Sequence, residues 1–80
     1  MLDMPKAYVL INTEPDVEEE FLEELKKIKG VVEATSVYGI YDFIVKVEAK
    51  SLEEVKDIIT SKIRKLKDLR SSVTLIAAEG

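Results

Sequence analysis

The pattern of apolar and polar residues predicts a single α+β domain over residues 1–80, a four-stranded antiparallel sheet with two helices on one face. Three observations carry that reading. Two segments with helical apolar spacing alternate with four strand-like segments in the order β-α-β-β-α-β. The two β-α-β crossovers share one hand, which places both helices on the same side of the sheet. Eighty residues, 46% hydrophobic and 35% charged, suffice for one small core and not for two.

The first strand is expected at Ala7–Ile11, a stretch apolar at every position, as suits a strand with apolar residues on both faces. Pro15 blocks further strand pairing, and Asp16 with Glu19 has the spacing of a capping box. A helix is expected from near Val17, with Val17, Phe21, Leu25 and Ile28 forming its inner stripe and Leu22 widening it. Gly30 fits a left-handed C-terminal cap.

Val31–Tyr38 reads as the second strand and Tyr41–Ala49 as the third. Tyr38-Gly39-Ile40-Tyr41 then forms a tight hairpin, in which Gly39 takes a positive φ cheaply. Ser51 and Glu54 have capping-box spacing for a second helix, whose stripe is Leu52, Val55, Ile58, Ile59, Ile63 and Leu66. Lys62, Arg64, Lys65 and Lys67 complement its dipole at the C-terminal end. Ser71–Ala78 is the fourth strand. The order is that of the split β-α-β, ferredoxin-like fold. Its helix-free face must carry either Tyr8 and Leu10 or Val9 and Ile11, so dimerisation through that open sheet face is expected.

Composition narrows the chemistry. Without His or Cys there is no ordinary zinc, haem or iron–sulfur site, no Ser-His-Asp triad and no thiol nucleophile, and no cofactor is expected. Sixteen acidic residues against twelve basic ones give a net charge of −4, which argues against an RNA-stacking role for Tyr8, Tyr41 and Phe43. The N-terminal residues lack a signal-peptide pattern and no apolar run reaches the ~20 residues of a membrane span, so a cytoplasmic location is expected. Abundant Lys and Glu, no Gln and a single Asn resemble the bias of hyperthermophile proteins.

The hairpin Gly39-Ile40-Tyr41-Asp42 combines a turn glycine, backbone N–H groups, an aromatic ring and a carboxylate. Such a turn can hold a small ligand's carboxylate through its N–H groups while Asp42 takes up an ammonium; equally, Asp42 can serve only to fix the turn. Ser36, Ser71, Ser72 and Thr74 offer hydroxyls near strand ends. The seven carboxylates between Glu14 and Glu24 lack the alternation and glycine of a calcium loop and read as a solvated helix face. Asn12, Arg64 and Arg70 form no local motif for a phosphate-handling enzyme.

Residues Ala7 to Glu79 resemble the C-terminal effector (RAM) domain of the Lrp/AsnC, or feast/famine, transcription regulators. Gly39-Ile40-Tyr41-Asp42-Phe43-Ile44-Val45-Lys46-Val47 is similar to the family's Gly-x-Tyr-Asp followed by an alternating strand. Leu69-Arg70-Ser71-Ser72-Val73-Thr74-Leu75-Ile76 is similar to its last strand, with Ser72 where the family often has Thr. The resemblance implies a module of transcription regulation that dimerises through its sheets, assembles into rings commonly of eight subunits, and binds a free amino acid where dimers meet. It further implies that Tyr38, Gly39, Ile40, Tyr41 and Asp42 hold the effector while Ser72 and Thr74 approach from the neighbouring dimer. A first strand beginning by residue 7 leaves no room for a helix-turn-helix domain, so the expectation is a stand-alone module that does not itself bind DNA and that can act with a full-length relative. The rival readings are a structural adaptor without an effector and a small ferredoxin-like enzyme.

Overall fold

The computed structural model describes residues 4–78. The outermost parts of the expected 1–80 domain, residues 1–3 and 79–80, lie outside the described residues. The elements run β1 (Lys6–Thr13), α1 (Glu18–Lys26), β2 (Val31–Ser36), β3 (Phe43–Glu48), α2 (Leu52–Ile58) continued by a π-helical turn (Ile59–Ile63), and β4 (Leu69–Ile76). The sheet has the order β2-β3-β1-β4. β1 lies antiparallel to both β3 and β4, and β2 antiparallel to β3. This is the ferredoxin-like arrangement expected from the sequence.

Strand alternation decides which side chains meet the helices. Ala7, Val9 and Ile11 of β1 and Phe43, Val45 and Val47 of β3 are fully buried, and Phe21 and Leu25 of α1 with Val55, Ile59 and Ile63 complete the core. Phe21 stacks on Phe43 with ring centroids 5.5 Å apart, tying α1 to the central strands. Tyr8 and Leu10 therefore project to the helix-free side, which settles the two alternatives left open by an all-apolar strand. Leu10 sits between Ile44 and Val73, and Tyr8 between Lys46 and Leu75.

Several boundaries differ from the sequence-based expectation. The Asp16–Glu19 capping box does not form: Asp16 has φ +70°, Val17 occupies the N-cap, and no side chain caps α1. Asp tolerates that left-handed conformation, so the residue turns the chain into the helix instead of capping it. The Ser51–Glu54 cap does form, with the Glu54 N–H donating to Ser51 Oγ at 3.1 Å. Gly30 has the expected positive φ, +101°, but lies four residues beyond the end of α1.

The second helix widens where its stripe demands it. Steps of four residues drift by about 40° each on a regular α-helix, which would carry Val55, Ile59 and Ile63 progressively off one face. The π-helical turn, closed by the Arg64 N–H on the Ile59 carbonyl at 2.9 Å, has more residues per turn and keeps Ile59 and Ile63 inside. Leu52, counted in the stripe, is instead 39% exposed.

Candidate functional site

The connection between β2 and β3 is longer than the tight hairpin expected. β2 stops at Ser36 and β3 starts at Phe43, which leaves residues 37–42 as the loop, closed by the Val37 N–H on the Asp42 carbonyl at 2.9 Å. Asp42 is bonded to both neighbours of β3, its carbonyl to the β2 side and its N–H and side chain to β1. Its N–H donates to the Ile11 carbonyl at 2.9 Å, and its Oδ2 accepts from the Thr13 N–H at 2.9 Å. The loop is thus fastened at its base and free at its tip, where Tyr38 is fully exposed and Ile40 is 83% exposed. Gly39 has φ +127° with nothing within 4 Å of an added Cβ, so backbone conformation and not space calls for glycine.

At the same end, the start of β4 is tied to the end of β1. The Glu14 N–H donates to the Asp68 carbonyl at 2.9 Å, and Asn12 Nδ2 donates to Ser71 Oγ at 3.4 Å. Arg70 lies at an irregularity in the β1–β4 pairing, its Nε 3.8 Å from Glu14 Oε2. These ties create an open recess lined by Asn12, Thr13, Pro15, Glu18, Ile40, Asp42, Arg70 and Ser71. It presents carboxylates and a guanidinium to one space. Thr13, on its wall, is 4% exposed, and its Oγ1 has no hydrogen-bond partner among the described residues.

Of the residues proposed from sequence, the chain brings only Ile40 and Asp42 into this recess. Tyr38, Gly39 and Tyr41 belong to the same loop but do not line it. Ser72 and Thr74 lie farther along β4, opposite Ile11 and Val9 and therefore on the helix side of the sheet. Ser71, one of the strand-end hydroxyls noted in the sequence, lines the recess, as do Asn12, Glu18 and Arg70, which were not expected to hold a ligand. They come from two parts of the chain far apart in sequence, 12–18 and 70–71, which the pairing of β1 with β4 brings together. Among the described residues no group of three or more acidic side chains is placed to hold a metal ion, and no helix is long and apolar enough to cross a membrane.

A small α+β domain with a fastened loop beside a polar recess has the form of a ligand-binding regulatory module. The chain belongs to the Lrp/AsnC ligand binding domain family, whose model matches residues 6–79. It is 38% identical over 74 residues to an uncharacterized HTH-type transcriptional regulator of Pyrococcus furiosus, a match covering 89% of this chain and 49% of that protein. The chain therefore spans about half the length of the curated relatives it matches. Among solved structures it is similar to FFRP-DM1, with a TM-score of 0.87, 42% identity, and coverage of 92% of this chain and 99% of that one. A hypothetical protein from Pyrococcus horikoshii also aligns with a TM-score of 0.87, at 40% identity over 96% of this chain and 93% of that one. The family is a regulatory domain of transcription regulators and not an enzyme.

Proposed function

We propose that this protein is a cytoplasmic sensing module that binds a free amino acid at the loop end of its sheet and passes the signal on through its state of assembly. The observation that carries this reading is the recess itself, where the Asp42 carboxylate and the Arg70 guanidinium line one opening beside the exposed 37–42 loop. An amino acid carries the complementary ammonium and carboxylate. Among the described residues the N–H groups of Gly39, Ile40 and Tyr41 donate to no carbonyl within the chain, so they are available to an anionic group.

Ser72 and Thr74 lie outside the recess of their own protomer, and in this reading they close the site of a neighbouring dimer. Dimers form through the open sheet face, where Tyr8, Leu10, Ile44, Val73 and Leu75 make an apolar patch. Tyr38 through Asp42 then belong to one dimer and Ser72 and Thr74 to the next, within a ring of about eight subunits. A full-length relative with the same domain can enter such a ring, which is a route by which this chain influences transcription.

Native mass spectrometry, without additions and with a pool of common amino acids at millimolar concentration, tests the reading. An even-numbered assembly that retains one amino acid mass per shared site supports it. An assembly that retains nothing from the pool overturns the sensor in favour of an adaptor.

A further inference from the structure

We propose that the helix layer is a second self-association surface, on which α1 of one copy lies along α2 of another. The charges on this layer are segregated. Residues 14–24, the approach to α1 and most of the helix, hold seven carboxylates and no base. Residues 62–70, from the π-helical turn to the start of β4, hold five bases and one acid. The other ends reverse the sign: Lys26, Lys27 and Lys29 close α1, whereas Glu53, Glu54 and Asp57 open α2.

Each helix carries acids at its start and bases at its end, the order its dipole favours. α1 follows β1 and α2 follows β3, and those strands are antiparallel, so the helices run in opposite directions. The layer is therefore a checkerboard of two acidic and two basic corners. Its centre is a groove with Ile28, Ile58 and Leu66 on its apolar floor and Glu24, Lys62 and Lys65 on its rims. Among the described residues no ion pair crosses from α1 to α2; the pairs on this side are Lys27–Glu24 within α1 and Arg70–Glu14 at the loop end.

A second copy, turned about a two-fold axis lying in the layer parallel to the helices, sets the carboxylates from Asp16 to Glu24 on the partner's Lys62, Arg64, Lys65 and Lys67 and the reverse; Glu14 and Arg70 are left out because they pair within the chain. It also sets Lys26–Lys29 on the partner's acidic α2 start. All four corners meet their opposite. An axis across the helices would offer the six carboxylates from Asp16 to Glu24 only Lys26, Lys27 and Lys29 instead of four bases, so the parallel axis is the one the charges select. Single exposed ion pairs contribute little, but a network of them across one face is additive enough to matter and is screened by salt. The contact is isologous and lies on the side of the molecule opposite the open sheet face, so the two contacts can extend an assembly together. It does not depend on the effector reading.

Sedimentation velocity tests this with the wild-type protein and two charge-swapped variants, Glu20→Lys/Glu24→Lys and Lys62→Glu/Lys65→Glu, their folding checked by circular dichroism. The dissociation constant of the wild-type contact is expected to rise at least tenfold between 50 and 500 mM NaCl. Each variant alone loses the contact at 50 mM NaCl, and an equimolar mixture regains the wild-type mass, because each variant then meets the charge it lacks. A wild-type mass independent of salt, or variants that assemble like the wild type, overturns the proposal. Loss in both variants without recovery on mixing overturns the pairing of α1 with α2.

Discussion

Asp42 and Thr13, twenty-nine residues apart, are joined by a hydrogen bond of 2.9 Å from the Thr13 N–H to Asp42 Oδ2. The bond forms where the β1–β3 pairing ends at Ile11–Phe43, so a side chain satisfies a backbone donor that the sheet leaves unpaired. It gives the loop 37–42 a fixed base, while the N–H groups of Gly39, Ile40 and Tyr41 donate to no carbonyl among the described residues. Asp42→Ala is expected to cost about 1–3 kcal/mol, since it strands a part-buried N–H. Asp42→Asn keeps an acceptor and should lose less. Urea denaturation of the two variants checks the order, and equal losses would contradict this role.

The two loop glycines should respond differently to alanine. At Gly39 the only penalty is the positive φ, about 1–2 kcal/mol, because open space surrounds the position. At Gly30 an added Cβ would also collide with Ile58 Cδ1. Gly30→Ala is therefore expected to be the more destabilising, and in an Ile58→Val background, which removes that methyl, the extra loss should shrink. A double-mutant cycle measures this coupling.

The two candidate caps separate cleanly. Ser51→Ala should destabilise by about 1 kcal/mol, as the loss of an N-cap acceptor typically does. Asp16→Gly should be neutral or stabilising, because Asp16 caps nothing and holds a φ of +70° that glycine adopts freely. Thermal melts of both variants give the comparison, and a clear loss in Asp16→Gly would restore a capping role.

Leu10→Lys places a charge at the centre of the open sheet face, between Ile44 and Val73. The core lies on the other side of β1, so the fold should persist while the proposed sheet-to-sheet contact fails. Sedimentation velocity is expected to show the loss of that dimer, and an unchanged mass would exclude this face as an interface.

Much of the molecule was legible in the chain because it rests on local rules. The order of elements, the inner stripe of α1 and that of α2 apart from Leu52, the Ser51 cap and the positive φ at Gly30 and Gly39 follow from residue spacing and backbone sterics, which act within a few positions. Lrp/AsnC membership was legible for the same reason, since its motifs occupy contiguous stretches, Gly39–Val47 and Leu69–Ile76. What required tertiary structure were the choices that depend on a distant partner. The all-apolar β1 does not itself say whether Tyr8 and Leu10 or Val9 and Ile11 face the helices; the packing of Phe21 and Ile63 decides that. The base of loop 37–42 is held by Asp42 bonding to Ile11 and Thr13 of β1, a long-range tie that no local propensity encodes. The recess, too, arises only when the ends of β1 and β4 and the 37–42 loop come together, because a site assembled from strand ends has no signature along the chain.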